Sequence, residues 1–268
     1  MNRNGSDLAG VDGRVVRNLC RAGEWKGSTP GLALGYVQAN LVIVREENAF
    51  DFLLFCQRNP KPCPILDVTD VGSARPAMVA PDADLRTDLP MYRVYKDGEL
   101  TAEPTDLNDY WEENLVAFLL GCSFTFEHAL QQAKLPVRHI EMDCNVPMYN
   151  TSIACRSAGI FRGNMVVSMR PMLPRDAVRA VQICSRYPLA HGAPIHIGNP
   201  EDIGIFHLTE PDYGDAVDFQ TGEVPVFWAC GVTPQTVAIS SQVPFFITHK
   251  PGHMFLTDLR DSDLESMG

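Results

Sequence analysis

Runs of apolar residues and their spacing divide the first part of the chain into strand-like and helix-like segments. The run YVQANLVIV at 36–44 predicts a long strand, and ILDV at 65–68 predicts a short one. Between them, AFDFLLFCQRN at 49–59 has the apolar spacing of a helix, which must end near Asn59 because prolines follow it closely. Strands and helices therefore interleave from the start.

The middle of the chain contains the longest helix-like segment. TDLNDYWEENLVAFLLG at 105–121 has acids in its first turn, apolar residues at helical spacing and a stop at Gly121, so we expect a helix there. A second helix is expected for SFTFEHALQQA at 123–133, with Ser123 as its N-cap. Before them, MYRVYKDGELT at 91–101 predicts a hairpin around an Asp-Gly turn.

The C-terminal half continues the same alternation. NMVVSMRP at 164–171 predicts a strand, and PRDAVRAVQICSRY at 174–187 predicts a helix that opens at its proline. EVPVFWACGVTPQTVAI at 223–239 predicts a strand, a turn and a helix, and FFITHKPGHMFLTD at 245–258 predicts two short strands around a tight turn. The interleaved order predicts an α/β fold.

Charge and composition narrow the classes of partner. The chain of 268 residues has a formal net charge of −11 and no dense run of lysine or arginine, which argues against nucleic acid and anionic membranes as partners. Its best apolar run, at 32–44, is too short to span a bilayer and is interrupted by polar residues. We therefore expect a cytoplasmic protein with a small-molecule substrate, and association into a homo-oligomer is left open.

The pattern of cysteines and the absence of common cofactor-binding motifs indicate which cofactors to expect. The eight cysteines form no CxxC pair and no regular framework, which indicates reduced thiols and signals neither zinc nor disulfides. The sequence also lacks the GxxxxGKS/T, GxGxxG and GxSxG patterns of phosphate, dinucleotide and serine-hydrolase sites. We expect no cofactor and no metal.

A cluster of reactive residue types lies at 139–145, HIEMDCN. Apolar residues alternate with Glu141 and Asp143, which predicts a half-buried strand that runs into a loop exposing Cys144 and Asn145. Carboxylates, a thiol and a histidine this close together are suited to acid–base or nucleophilic chemistry. The alternative is a solvated strand edge without chemistry, because surface strands often alternate acids with apolar residues.

Further polar residues lie where predicted elements end, the place where α/β proteins usually bind ligands. They are Ser123, Arg170, His191, His196, Cys230 and His249. Each has a structural alternative as an interhelix turn, a surface salt bridge, a buried thiol or a core histidine. The THKPGH segment at 248–253 has two histidines four apart, but its Pro-Gly pair breaks the helix that would align them as metal ligands.

Eight segments of the chain together resemble the D-glutamate cyclase family, whose bacterial members are also catalogued as hydro-lyases. They are GYVQANLVIV, AFDFLLFCQRNPKPCP, GCSFTFE, HIEMDCNVPMY, MVVSMRP, AHGAPIHIG, GEVPVFWACGVTPQ and THKPGHMF. The resemblance runs from about residue 29 to about residue 258 with the segments in order. Asn150, Ser152 and Asn199 depart from the family pattern, so the resemblance leaves the exact substrate open.

The resemblance implies a fold and an activity. The implied fold is a mixed-sheet layered sandwich of two closely joined α/β subdomains. One would be a three-layer unit from residues 1–122 plus 222–268, and the other an inserted two-layer unit from 123–221. The implied activity is the loss of water from D-glutamate to give 5-oxo-D-proline. This lactam forms within one molecule and needs no nucleotide, because holding the reacting ends together supplies several kcal/mol, roughly 7 to 11 at best.

The reaction assigns acid–base roles to the candidate residues. Asp143 or Glu141 would deprotonate the substrate ammonium, and His191 or His196 would protonate the departing hydroxyl. A second route would pass through a thioester on Cys144, provided that a neighbour lowers the pKa of this thiol.

Substrate binding falls to the remaining candidates. Arg170 would hold the α-carboxylate bidentately. The other expected contacts are Ser123, Asn145, Cys230 and His249. Two alternatives stay open: a lactam hydrolase or other hydro-lyase acting on a related small acid, and a non-catalytic protein that binds acidic metabolites.

Overall fold

The computed structural model describes residues 5–266, which form two antiparallel sheets with helices packed around them. The strands are β1 Tyr36–Arg45, β2 Ile65–Val68, β3 Tyr92–Lys96, β4 Glu99–Ala102, β5 Leu115–Gly121, β6 Met148–Ala154, β7 Asn164–Met172, β8 His196–Ile197, β9 Val224–Ala229, β10 Phe245–His249 and β11 Phe255–Arg260. The α-helices are α1 Gly13–Arg21, α2 Glu46–Arg58, α3 Phe124–Gln132, α4 Arg138–Glu141, α5 Pro174–Cys184 and α6 Thr233–Ser240. The α/β class is confirmed, and the sheets are antiparallel where we expected mixed ones.

The first sheet is organised around β1, and its strand order is β2-β5-β1-β10-β3-β4. One edge of β1 pairs with β5 from Ala39 opposite Gly121 to Arg45 opposite Leu115. The other edge is shared, because β10 pairs with its C-terminal half and β11 with its N-terminal half. The ends of β5 and β10 therefore meet near the middle of β1.

The second sheet has the order β6-β7-β9-β8. Helices α3 and α5 cover one of its faces in a core around Trp228. Helices α2 and α6 pack against one face of the first sheet, where Phe52 and Val237 are fully buried. The turn after β9 and the turn after β5 thus lie between the two sheets.

The helix expected for residues 105–121 is wrong. Its apolar part forms strand β5, all seven residues of which are buried between β1 and β2. A strand buried on both faces is continuously apolar, so its pattern cannot be told from that of a buried helix by periodicity alone. Gly121 ends the strand for a packing reason, since a Cβ there would overlap the carbonyl of Leu189.

The strand expected for residues 139–143 is also wrong. The segment is the four-residue helix α4 followed by a loop, in which Asp143 has a left-handed φ of 51°. The alternating apolar residues, Ile140 and Met142, are exposed, because Arg138 enters the core beside them and pairs with Glu223 at 2.7 Å. The apparent period of two therefore did not mark a buried face.

The other predicted elements are confirmed. They are β1, α2, β2, the β3–β4 hairpin, α3, β7, α5, β9, α6, β10 and β11. The hairpin turns at Asp97 and Gly98 with φ of 50° and 80°, the left-handed conformations that such a two-residue turn requires. Strands β10 and β11 both pair with β1 rather than with each other.

The two sheets draw on different parts of the chain. Strands of the first sheet come from residues 36–121 and 245–260, and strands of the second come from 148–229. Strand β9 belongs to the second sheet although it follows residue 222, and the division into subdomains stays a prediction. Within residues 5–266, no helix has the length and apolarity needed to cross a membrane.

Candidate active site

Strand ends of both sheets enclose a small cavity, which we call the inner cavity. Its volume is about 30 Å³. Five of the residues singled out in the sequence line it: Ser123, Asn145, His191, Cys230 and His249. They come from the turn after β5, the loop before β6, the segment before β8, the turn after β9 and the end of β10. Residues far apart in sequence are thus brought to one place by the meeting of the two sheets.

Two helices begin at the inner cavity. Phe124, the first residue of α3, and Val232, the residue before α6, both line it. The first N–H groups of a helix have no partner within the helix and carry a partial positive charge, so helix N-termini favour anionic groups. The cavity is therefore suited to a carboxylate or to an oxyanion that develops from one.

His191 is held in one tautomer by the backbone. It follows the short 3-10 helix Pro188–Ala190 and has a left-handed φ of 73°. Its Nδ1 lies 2.6 Å from the carbonyl oxygen of Lys61, and because a carbonyl can only accept, Nδ1 carries the hydrogen. Burial lowers the pKa of His191 to about 4. At neutral pH the ring is uncharged and Nε2 is a free acceptor.

His249 is held in the opposite tautomer. The backbone N–H of Leu41 donates to Nδ1 at 3.2 Å, and the carbonyl of the same residue is farther away at 3.4 Å. The shorter of the two contacts comes from the N–H, which can only donate, and it assigns the acceptor role to Nδ1 and the hydrogen to Nε2. Burial lowers the pKa of His249 to about 4 as well. The inner cavity therefore receives one imidazole acceptor and one imidazole donor, both neutral.

Asn40 also lines the inner cavity and was missed in the sequence. Its Nδ2 donates to the carbonyl of Gly121 at 2.7 Å and so ties the middle of β1 to the end of β5. Gly231 packs against this amide, and a Cβ at Gly231 would overlap it. The sequence did contain a feature that could have pointed to Asn40, because Asn40 and Gln38 are polar residues within an otherwise apolar strand.

Arg170 lies behind the inner cavity and does not line it. The guanidinium is fully buried, pairs with Glu127, and donates to Ser168 Oγ at 3.0 Å and Ser123 Oγ at 3.1 Å. Burial by itself would raise the pKa of Glu127, but the charges of Arg170 and His139 outweigh it and lower this pKa to about 2. Arg170 thus positions Ser123, whose side chain does not cap α3 as expected, and its donors are engaged by protein groups.

A larger cavity of about 340 Å³ adjoins the inner one, and we call it the outer chamber. The two share Phe124 and Asn145 in their walls. Asp143 and Cys144 line the outer chamber and not the inner cavity. Two members of the HIEMDCN cluster are thus separated from the buried histidines by the wall between the cavities.

Besides Arg170, two further candidate residues lie outside both cavities. Glu141 is exposed at the end of α4 and pairs with Arg138 at 2.9 Å. His196 is half-buried on β8, where its Nε2 lies 2.7 Å from the carbonyl of Asn199 and its ring lies beside that of Phe227. The structure does not bring these two side chains to the others.

The thiols at the two cavities are not activated. Burial raises the pKa of Cys230 to about 11. Burial is also the main cause that raises the pKa of Cys144, followed by the negative charges of Asp215 and Asp143. Both thiols are therefore protonated at neutral pH, whereas nucleophilic cysteines need a lowered pKa.

Among residues 5–266, neither a cluster of metal ligands nor a residue that departs from the family pattern is found at the two cavities. Within residues 5–266, no group of three or more histidine, cysteine, aspartate or glutamate side chains is placed to hold a metal ion. Asn150 pairs with Asp212, and Asn199 accepts from the backbone N–H of Glu201. Neither of these departures from the family pattern lines the inner cavity or the outer chamber.

Comparisons with known proteins identify the family of the chain. Residues 116–258 match the family model described as D-glutamate cyclase. A protein of Geobacillus kaustophilus is 61% identical over 256 residues, which cover 96% of this chain and 97% of that protein. Proteins of Thermoanaerobacter sp. and Bacillus subtilis are 63% and 59% identical over 249 residues, covering 93% of this chain and 94% and 97% of theirs. All three carry the description "Putative hydro-lyase". The chain belongs to the D-glutamate cyclase family.

Proposed function

We propose that this protein is a hydro-lyase that removes water from D-glutamate to form 5-oxo-D-proline, with the bond-forming step in the inner cavity. The observation that carries the proposal is the pair of neutral histidines of opposite tautomer at one cavity, beside two helix N-termini. Lactam formation needs a proton acceptor for the amine and a donor for the carboxyl oxygen. The inner cavity supplies one of each.

The γ-carboxyl group is placed at the helix N-termini in this proposal. The positive ends of the α3 and α6 helix dipoles and the Nε2–H of His249 are assigned to the negative charge that develops on the carboxyl oxygen. Asn145 and the hydroxyl of Ser123, held by Arg170, complete the polar wall. Donors fixed in advance by the backbone need little reorganisation when the tetrahedral intermediate forms.

His191 moves the protons. The overall reaction joins an ammonium and a carboxylate and releases water, so it neither consumes nor releases protons. The free Nε2 of His191 takes a proton from the substrate ammonium and passes it to the γ-carboxyl. The neutral amine then attacks the γ-carbon, and His191 carries a second proton from this nitrogen to the departing hydroxyl. One residue thus serves as base and then as acid, with Lys61 holding its ring.

Direct attack by the amine is preferred to the thioester route. That route needs a thiolate at Cys144 or Cys230, and both thiols have raised pKa values. Attack by the amine within one molecule needs no covalent intermediate, since a five-membered ring closes by proximity. The proposal also assigns no step to a nucleotide.

Entry of the substrate is assigned to the outer chamber. The inner cavity of about 30 Å³ has room for only about one or two water molecules. A glutamate-sized molecule therefore approaches through the larger chamber and displaces Phe124 and Asn145, which lie between the two spaces. Because the amine nitrogen, the γ-carboxyl carbon and the three carbons between them all become ring atoms, the ring closes where this displacement joins the two spaces.

A mass-spectrometric screen tests the proposal. Purified protein is incubated with both enantiomers of glutamate and with related small hydroxy and amino acids, and products are followed for the loss or gain of one water. We expect D-glutamate to lose water and L-glutamate to be unaffected, because contacts to the carboxyl, the amine and the side chain together define handedness. The His191→Asn protein serves as the control for spontaneous cyclisation.

Two results would contradict the proposal. Equal rates on both enantiomers, after subtraction of spontaneous cyclisation, would exclude a handed site for glutamate. A rise in melting temperature with D-glutamate but no product would favour a binding protein over a lyase.

A further inference from the structure

The outer chamber has the size and the walls of a site for an organic molecule. Its volume is about 340 Å³, within the range of small-molecule pockets. The segment 30–36 forms one side and α3 the other, with Leu32, Tyr36 and Phe124 as apolar lining. An apolar wall of this kind accommodates a carbon skeleton rather than a bare ion.

Three polar atoms on side chains that line the outer chamber lack a hydrogen-bond partner among residues 5–266. They are Gln38 Oε1, His139 Nδ1 and Asp261 Oδ1. Gln38 and His139 are each only 4% exposed, so solvent does not readily satisfy them. A buried polar atom without a partner is destabilising, and three at one chamber indicate that a ligand supplies their partners.

Two of the three atoms are acceptor oxygens. The Nε2 of Gln38 donates to the carbonyls of Thr29 and Leu32, which fixes Oε1 as the free end of the amide. His139 Nε2 lies 3.4 Å from the carboxylate of Glu127, so this nitrogen carries the hydrogen that faces the carboxylate. The missing partner is therefore a group rich in N–H or O–H donors.

The second acceptor belongs to a carboxylate. Asp261 Oδ2 lies 3.4 Å from His128 Nδ1, and Oδ1 is left over. Burial raises the pKa of Asp261 to about 6, against the lowering effect of His128, so the group is ionised at mildly alkaline pH.

The charges around the outer chamber favour a cation. Asp143 and Asp261 bring carboxylates to its wall, and the charge of Glu127 is compensated by Arg170. No lysine or arginine among residues 5–266 lines the chamber. An ammonium finds acceptor oxygens and opposite charge in these walls.

We propose that the outer chamber binds the primary ammonium group of an organic ligand. Such a group offers three N–H donors and no acceptor, which suits the unpartnered acceptor oxygens of Gln38 and Asp261 and the carboxylate charge at the chamber. The ammonium can belong to the amino-acid substrate on its way to the inner cavity or to a separate amine. The recognition chemistry is the same for both sources, and it does not depend on the lyase activity.

Calorimetric titration with n-butylammonium chloride at mildly alkaline pH tests the proposal, with sodium butyrate and 1-butanol as matched probes. We expect saturable binding of the ammonium and none of the other two. Saturating D-glutamate then separates the sources. Competition means that the substrate's own ammonium occupies the chamber, and simultaneous binding means that a separate amine does. Both outcomes support the ammonium site, and no turnover is required.

Variants locate the binding in the outer chamber. Asp261→Asn removes the negative charge and Gln38→Leu removes an acceptor, and we expect each to weaken n-butylammonium binding about tenfold, the loss of one charge-assisted or buried hydrogen bond. Asp143→Asn provides a solvent-exposed third variant should either buried change impair folding. Asp109→Asn, the same change at an exposed acid that does not line the chamber, should bind like wild type.

The proposal is overturned if n-butylammonium does not bind the wild-type protein, or if butyrate binds equally well. It is also overturned if the folded variants at Asp261, Gln38 and Asp143 all bind as tightly as the Asp109→Asn control.

Discussion

The inner cavity and the outer chamber adjoin each other but are built in different ways. The inner cavity is made at strand ends, and its histidines are each fixed by a backbone group of a neighbouring segment. The outer chamber is made by a loop, short helices and the segment after β11, and it contains acceptors without partners. Precise geometry for bond formation requires the rigid sheets, whereas recognition of a ligand group is compatible with more adaptable loops.

Burial acts on titratable groups in both places and in both favours the uncharged form. It lowers the pKa values of His191 and His249 to about 4 and raises that of Asp261 to about 6. For the histidines, the unfolded chain binds protons at about pH 6.5 and the folded chain only near 4. The free energy of unfolding should therefore fall as the pH drops through this interval.

The largest effect is expected from His191→Asn. Asparagine tolerates the left-handed backbone and can donate to Lys61 as Nδ1 does, so the fold should persist while the acceptor Nε2 is lost. We expect kcat to fall by about 10² to 10⁴, the usual contribution of a general base, with little change in melting temperature. Steady-state assays measure this.

His196→Asn is the matched control, because this histidine lies outside both cavities. Its activity should stay close to that of wild type. An equal loss in the two variants would remove the distinction between the inner cavity and the rest of the protein.

The next largest effect is expected from breaking the ion pair between Arg170 and Glu127, which links the inner cavity to the outer chamber. Glu127 lines the outer chamber, and its partner Arg170 holds Ser123 at the inner cavity. Arg170→Met should destabilise the protein by about 3–5 kcal/mol, because it leaves a buried carboxylate without its cation. The double variant with Glu127→Gln should recover much of the loss in denaturant unfolding. No recovery would show that the pair itself is not what Arg170 contributes.

A smaller effect is expected from Gly231→Ala. The new Cβ would displace the amide of Asn40 from the carbonyl of Gly121, and overpacking of this kind costs about 1–3 kcal/mol. Gly10→Ala is the control, since no atom lies within 4 Å of a Cβ there. If Asn40 is the obstacle, adding Asn40→Ala should lessen the cost, and purely additive effects would speak against it.

The smallest effect on turnover is expected from Asp143→Asn. Asp143 is exposed at the outer chamber, and asparagine suits its left-handed φ. With His191 as the base, kcat should change by no more than about threefold, as for other surface substitutions. A loss of about 10² or more would instead make Asp143 the base that the sequence suggested.

Much of the fold could be predicted from the sequence, and the errors have physical causes. Elements with turn or proline signals at their ends, such as α2 and the β3–β4 hairpin, were correct. Strand β5 was read as a helix because full burial on both faces removes the period of two. The short helix α4 imitated a strand because its apolar residues face solvent while Arg138 is buried.

The candidate site could be predicted only in part. Residues at strand ends, such as His191, Cys230 and His249, were singled out by position, and the structure brings them together. Closeness in sequence was not a guide to closeness at the site. Glu141, Asp143 and Cys144 are near one another along the chain but lie away from the inner cavity. Asn40 could not be placed without the pairing of β1 with β5. Tautomers depend on such long-range backbone contacts and have no local signature.

The opposite tautomers of the two buried histidines can be measured directly by imidazole ¹⁵N nuclear magnetic resonance. The two signals are assigned through His191→Asn and a His249 variant. At neutral pH we expect His191 to carry its hydrogen on Nδ1 and His249 to carry it on Nε2. We expect both rings to stay neutral until the pH approaches about 4. Identical tautomers, or protonation of either ring near the ordinary pKa of about 6.5, would contradict the assignment of one acceptor and one donor to the inner cavity.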